Sequence, residues 1–249
     1  MSVSIVIPTL NEAESIHRQV GRCLGLSPRP EVIVADGESQ DATLAEARAA
    51  GACALACTRR GRALQMNAGA AAASGEILLF LHADVILSQA AYSAMLQLLH
   101  DSRIVGGAFR RRFDSPSLLL RLGSRLADLR GSALGVTLGD QAQFVRKEVF
   151  QHLGGFPEML LFEDLAFSLI LSRHGPTRLV REKVIASSRR FHRDGNARGL
   201  ALNVYLALLY LAGADANRLA QRYYPEYFST TPERPPRRGS GDNAVGGES

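Results

Sequence analysis

The sequence predicts an α/β fold: a mostly parallel central sheet flanked by helices, with further helices at the C-terminal end. Three observations predict it. Short apolar runs alternate with helical patterns through the N-terminal half, the rhythm of β-α-β-α units. One run, ILLFL at residues 77–81, is apolar at every position, as a strand covered on both faces must be. Finally, the runs stop at polar residues, and in open parallel sheets ligands bind beyond the carboxyl ends of the strands. With 249 residues, 46% hydrophobic and 21% charged, the chain suits one globular domain with an appendage. A chain of this length buries roughly 70% of its unfolded surface.

Residues 3–7 form the first strand. Asn11 with Glu14 then supplies an N-x-x-E capping pattern for a helix whose Ile16, Val20 and Leu24 share a face. Residues 32–35 are the second strand, and a helix from Asp41 is ended by Gly51. A weaker strand over 52–57 and a small-residue helix over 61–74 lead to ILLFL. After Ser88 the pattern changes: a helix over 88–100, a strand over 105–113, then a helix opened by Ser115-Pro116. That helix carries Leu118, Leu119, Leu122, Leu126 and Leu129, which core packing explains more often than a bilayer does. A strand over 141–145, a helix over 162–173, a pair of short strands within 179–187 and helices over 198–213 and 215–223 complete the folded part. Residues 229–249, rich in Pro, Gly and Ser, predict a disordered tail. The sequence has no internal repeat.

The net charge is +5, and 27 of the 29 basic residues are arginine, Lys147 and Lys183 being the exceptions. Coding bias with solvated arginines is one reading; recognition of phosphate or anionic lipid by the guanidinium fork is the other. Dispersed arginines, absent tryptophan and the lack of an aromatic-interleaved basic motif argue against nucleic acid. Cys23, Cys53 and Cys57 are odd in number and form no C-x-x-C, so they read as buried thiols of a reducing compartment. No signal peptide is recognisable, and the longest apolar tract, 200–214, is interrupted by Asn203 and falls short of the roughly 18 residues of a span. A cytoplasmic protein is therefore expected.

The strand ends carry the chemistry. The first strand stops at Pro8-Thr9-Leu10-Asn11-Glu12, the second at Asp36-Gly37, and ILLFL at His82-Ala83-Asp84. Turn chemistry or capping explains any one of these, but acids at two of three ends aimed at one crevice are less easily explained so. No G-x-G-x-x-G follows the first strand and no G-x-x-x-x-G-K-[ST] occurs, which disfavours a dinucleotide-binding dehydrogenase and a P-loop NTPase. Diphosphate charge would then be met by a carboxylate-held divalent cation, with Asp84 the natural ligand.

Taken together, SIVIPTLNEAESI, VIVADGESQDAT, GRALQMNAGAAAASGEILLFLHAD and GGFPEMLLFEDLAFSLIL resemble family 2 glycosyltransferases of the GT-A (Rossmann-like) fold, in order and spacing, over residues 3 to 175. The segments GDQAQFVRKEVF and SSRRFHRDG and the C-terminal helix pair are similar, more narrowly, to a small bacterial subfamily linked to arsenosugar biosynthesis. The resemblance implies a domain over 1–228, divided into a nucleotide-binding half (1–87), an acceptor and catalytic half (88–197) and C-terminal helices (198–228). It implies an inverting, metal-dependent transfer from a nucleoside-diphosphate-sugar, a UDP-sugar foremost, to a hydroxyl of a small-molecule or lipid-linked acceptor.

By the same resemblance, Pro8, Thr9 and Glu12 line the nucleotide pocket and Asp36 accepts hydrogen bonds from base or ribose. Arg59, Arg62 and Asn67 contact the nucleotide or its phosphates. Of the family's D-x-D motif, the last acid is Asp84, the ligand of Mg²⁺ or Mn²⁺; Ala83 lies between, and His82 replaces the first acid. His82 then touches ribose or reaches the metal through water, or else bonds nearby backbone. Glu163-Asp164 is the family's ED pair, Asp164 the general base and Glu163 a supporting group, although acids in a first helical turn also complement the dipole. Gly107 in Gly106-Gly107, and Asp140 and Gln141 after Gly139, fall on the acceptor and sugar side, where turn chemistry is the alternative. Arg189, Arg190, His192 and Arg193 form either a clamp over the diphosphate or a solvated loop. A homodimer and a peripheral membrane contact are left open. A sugar-nucleotide-binding protein without catalysis, suggested by His82, and a sugar-nucleotide pyrophosphorylase are the alternatives. The latter's Gly/Arg-rich first loop ending in Lys-Pro is missing.

Overall fold

The computed structural model describes residues 1–189 and 196–223. Its first half runs β1 (Val3–Thr9), α1 (Ala13–Leu24), β2 (Glu31–Asp36), α2 (Thr43–Ala49), β3 (Cys53–Ala56), α3 (Arg62–Ala72), β4 (Ile77–Phe80) and β5 (Val85–Ile86). Then come α4 (Gln89–Leu98), β6 (Gly106–Phe113), α5 (Leu118–Leu134), a 3-10 turn (Gly139–Gln141), β7 (Gln143–Arg146) and α6 (Lys147–His152). The chain continues through α7 (Glu163–His174) and β8 (Thr177–Ala186) to α8 (Asn196–Leu211) and α9 (Ala216–Tyr223).

The sheet has the order β3-β2-β1-β4-β7-β6-β8-β5. Strands β3, β2, β1 and β4 are mutually parallel, β7 is antiparallel between β4 and β6, β6 and β8 are parallel, and β5 is an antiparallel edge on β8. Only residues 81–84 separate β4 from β5, a reach of about 17 Å, while four inter-strand spacings on a flat sheet need about 19 Å. The sheet therefore curls, and residues 82–84 sit inside the curl.

The side-chain period of two splits the core into two layers. Ile5, Ile7, Val34, Ile77 and Leu79 pack with α1 and α4 on one face; Val6, Ile33, Leu78 and Phe80 pack with α3, Phe150, Phe156 and Phe167 on the other. This is why ILLFL is apolar throughout. The small residues of α3 let it lie close on β1: a Cβ at Gly69 would strike the Val6 side chain.

Several expectations are corrected. Asn11 does not cap α1: Glu12 is the N-cap residue and makes no side-chain cap bond, while Asn11, at φ 54°, accepts from the Gln40 N–H at 2.8 Å and so ties the β1 and β2 loops together. The pair of short strands within 179–187 is a single strand, β8; Arg181 and Glu182 are looped out where the pairing shifts from Phe109↔Val180 to Arg110↔Lys183. Of the cysteines only Cys23 is buried, its thiol pushed up to about 12 by burial; Cys53 lies exposed on the edge strand β3 and Cys57 is half-buried. The five leucines expected in the core from α5 are not there. Leu120, Ser124, Ala127 and Gly131 face the sheet, and Leu118, Leu119, Leu122, Leu126 and Leu129 are exposed. Among the described residues no helix is long and apolar enough to cross a membrane. Arg190, His192, Arg193 and the tail 229–249 lie outside the described residues.

Candidate active site

The carboxyl ends of β1, β2 and β4 and the amino end of antiparallel β7 meet at one edge of the sheet, around a cleft of about 290 Å³. Pro8, Thr9, Glu12 and Gly37 line one side, Arg60, Arg62 and Gln65 a second, and His82, Ala83 and Asp84 a third. Among the described residues, four non-glycine residues have positive φ, Asn11, Glu38, Ala142 and Phe162, and all sit in loops at this edge. Such conformations are held only where the surrounding structure determines them, and they concentrate at functional sites.

Beneath the cleft, Asp36 is buried. Its carboxylate accepts from Thr9 Oγ1 at 3.1 Å, Ser39 Oγ at 2.5 Å and the Ser39 N–H at 2.9 Å. Gln65, which the motif reading passed over, donates from Nε2 to the carbonyls of Thr9 (2.6 Å) and Ala35 (2.9 Å), locking the ends of β1 and β2 together. Its position one turn into the RALQMN helix, facing the strand ends, is the signal that could have found it. Asp36 thus stands in the floor as a structural acceptor, with Thr9 between it and the cleft.

At the cation end, the Val85 N–H donates to the His82 carbonyl at 3.1 Å, closing the turn that projects Asp84, and the Ser187 N–H donates to the Asp84 carbonyl at 3.1 Å. The Asp84 carboxyl is raised above the usual carboxylate range, first by desolvation against the cleft walls and then by the Glu12 carboxylate, with Arg189 and Arg62 offsetting part of this. Arg189 lies 3.8 Å from Glu12. This excess of negative charge on hard oxygen donors suits a divalent cation. Among the described residues no three His, Cys, Asp or Glu side chains cluster as a complete ligand set. An ion held here would complete its shell from phosphate oxygens and water, as Mg²⁺ and Mn²⁺ do.

His82 is kept neutral: burial first, then Arg62, lower its pKa to about 3. Its Nε2 is buried without a hydrogen-bond partner, so that nitrogen bonds no backbone. It abuts Gly139, where a Cβ would lie 2.6 Å from Nε2 and 2.9 Å from Asp164 Oδ2. Only glycine lets His82 and Asp164 close on the same backbone point. Phe162, at φ 67°, turns the chain so that both acids opening α7 point inward. Asp164 accepts from the Gly139 N–H at 2.5 Å and the Leu165 N–H at 2.6 Å. Glu163, 2% exposed, faces Arg62 across 3.4 Å; burial lifts its carboxyl to about 7, with Arg62 lowering and Asp164 raising it.

The remaining candidates separate. Asn67 clamps the Gly-Gly-Phe-Pro loop, donating to the Phe156 carbonyl and accepting from the Phe156 N–H, both at 2.9 Å, and does not line the cleft. Arg59 turns outward to Glu158 at 3.2 Å, while Arg60 lines the cleft in its place. Asp140 is paired with buried Arg111. Gln141 is fully buried: its Oε1 accepts from Arg130 at 3.3 Å and its Nε2 donates to the Phe109 carbonyl at 3.3 Å. Gly107 sits mid-sheet between Phe144 and Arg178, where any side chain would strike the Arg178 carbonyl. Both Gln141 and Gly107 were expected on the acceptor and sugar side; in the structure the hydrogen bonds of Gln141 and the space at Gly107 are taken by the protein itself.

The glycosyl transferase family 2 model matches residues 4–152. No curated protein matches the chain. Among solved structures it is similar to a mannosyltransferase from Pyrobaculum calidifontis in complex with GDP-Man and Mn²⁺, with a TM-score of 0.67 and 19% identity over 89% of this chain and 69% of that one. It is similar to TarS of S. aureus at a TM-score of 0.61 and 15% identity, over 93% of this chain but only 44% of that one. A third is glucosyl-3-phosphoglycerate synthase from Mycobacterium tuberculosis in complex with Mn²⁺, UDP and glucosyl-3-phosphoglycerate, at 0.59 and 21%, over 86% and 81%. These identities establish a shared GT-A architecture, and since the family model spans more than half of the sequence, the chain belongs to glycosyl transferase family 2.

Proposed function

We propose that the protein transfers a sugar, with inversion, from a nucleoside-diphosphate-sugar to a hydroxyl acceptor, and that it requires Mg²⁺ or Mn²⁺. One observation carries the reading: Asp84, Glu12, Arg60 and Arg62 converge on one cleft, and the buried Glu163-Asp164 pair stands directly behind Arg62. A divalent ion held by Asp84 would neutralise the departing diphosphate. Arg60 and Arg62 add fixed positive charge there, and Thr9, held by Asp36, shapes the nucleotide end. Asp164 is the base that takes the acceptor hydroxyl's proton; its two backbone N–H bonds fix its direction. Glu163 supports it, and Asp140, 30% exposed, is the turn residue nearest the acceptor side.

The mannosyltransferase and the synthase are named with GDP-Man and with UDP. We favour a UDP-sugar, and carry the likeness to the arsenosugar-linked subfamily as part of the same proposal. Arg190, beside Arg189, completes a clamp over the diphosphate. The test is nucleotide release from UDP-, GDP-, TDP- and CDP-sugars with Mn²⁺, Mg²⁺ or chelator. Asp84→Ala and Asp164→Asn should each lower the rate about 10²- to 10⁴-fold; full activity in both overturns the mechanism. His82 in place of an acid favours one second reading, a binder without turnover, for which nucleotide would bind and no donor be consumed.

A further inference from the structure

Helix α5 presents its leucines to solvent. Its packed face, Leu120, Ser124, Ala127 and Gly131, lies on β6 and β8. At 100° per residue, Leu118, Leu129, Leu122 and Leu126 fall in a stripe about 80° wide on the opposite side. They are 77%, 65%, 53% and 59% exposed. Helix α8, which packs against α5, repeats the pattern. It carries no charge between residues 199 and 211, and Val204, Tyr205, Leu208 and Leu211 are each more than half exposed. Scattered exposed leucines are ordinary; two adjoining helices with continuous apolar faces mark an interaction surface.

Charge identifies the occupant. Arg121 and Arg125 are exposed along one flank of the leucine stripe. The only acid of α5, Asp128, is half-buried near Arg110, Arg111 and Lys183, and α8 contains no acid. A second copy seated on this face would bring arginine against arginine with no exposed acid on either helix to answer it. After α9 the chain offers only Tyr224, Tyr227, Phe228, Ala244 and Val245 as aromatic or aliphatic side chains, too few to cover two helices. An apolar stripe flanked by arginines, on two helices that carry no exposed acid, matches the headgroup layer of an anionic bilayer. We propose that α5 and α8 dock the protein reversibly on an anionic membrane surface. The opposite face of α8 packs toward the site, where Tyr210 stacks on Phe162 at 5.3 Å, next to the Glu163-Asp164 pair.

Co-sedimentation of the full chain with vesicles tests this without any sugar donor, so its outcome is independent of the transfer reaction. The protein should pellet with vesicles of one part phosphatidylglycerol to two of phosphatidylcholine and remain in solution with phosphatidylcholine alone. The triple variant Leu122→Gln, Leu126→Gln, Leu129→Gln should keep the wild-type melting temperature, since these side chains are exposed, and bind at least about tenfold more weakly. Arg121→Ala with Arg125→Ala should weaken anionic binding by about tenfold or more. The proposal is overturned if the wild type ignores both vesicles, or if the triple variant binds as well as wild type. It is equally overturned by a concentration-dependent dimer in sedimentation velocity that the triple variant abolishes while no vesicle is bound; the face would then belong to a second copy.

Discussion

Burial behind Arg62 lifts the Glu163 carboxyl from its ordinary 4.5 to about 7, and this has a consequence for stability. The folded state then holds the proton more tightly than the unfolded chain. Stability is therefore greatest below about pH 4.5 as far as this group is concerned, and falls as pH rises through about 7. Glu163→Gln mimics the protonated form. At pH 5 it should melt with the wild type; at pH 8 it should melt higher, by an amount on the order of 1–3 kcal/mol. Calorimetric scans at the two pH values decide this, and an equal difference at both removes Glu163 as the cause. Gly139 makes a second case at the same scale. Gly139→Ala pushes a methyl into His82 Nε2 and Asp164 Oδ2, and overpacking of this kind costs about 1–3 kcal/mol. Displacing Asp164, the proposed base, should lower turnover much more, about 10²-fold, which urea titration and rate measurement separate. Position in the sequence placed Glu12 and Asp84 at strand ends and the family resemblance added Arg62, and all three line the cleft. The resemblance also assigned Asn67 to the nucleotide and Gln141 to the acceptor and sugar side, but residue type does not reveal that a backbone partner has already taken the amide.

At the scale of elements, the longer helices and strands were legible from their periods, β5 and α6 were not, and the buried face was legible for α1 and β4 but not for α5. The leucine period of α5 is plain, yet the helix turns its small residues inward because Gly131 and Ala127 must pass close to β8. The run Arg110-Arg111-Arg112 on β6 has no sequence rationale until the strand's alternation is placed. Arg111 then points inward, 6% exposed, onto Asp140, and its pKa falls to about 10 chiefly through burial; Arg112 faces solvent. Together Arg111 and Arg130 hold the 3-10 turn that offers the Gly139 N–H to Asp164. Removing one member of a buried pair is costly, and Asp140's partial exposure moderates it. Arg111→Met should cost about 2–4 kcal/mol in urea unfolding, and adding Asp140→Asn should recover a good part. No recovery in the double variant would mean that Arg111 acts through packing alone.

The whole molecule closes its late chain onto its early chain. Curling of the sheet brings β8 beside β5, the Ser187 N–H onto the Asp84 carbonyl and Arg189 near Glu12, so that the cation end of the cleft is built from segments remote in sequence. Nothing in the local pattern announces this, since β5 has only two residues and its partner lies a hundred positions later. A ligand spanning the cleft must therefore stabilise the molecule globally. A nucleoside diphosphate with Mn²⁺ at a hundred times its Kd should add about 2.7 kcal/mol. For a domain of this size that is a rise in Tm of about 5–10 °C. Asp84→Ala isolates the cation's share. Its carboxyl is desolvated by the cleft and repelled by Glu12, so its loss should leave the ligand-free Tm within about 1–2 °C of wild type. The increment gained on adding Mn²⁺ to the nucleotide should vanish in that variant, while the smaller shift from nucleotide alone persists through Arg60 and Arg62. A Mn²⁺ increment undiminished in Asp84→Ala would place the cation on other ligands, and would require the diphosphate end of the cleft to be reassigned.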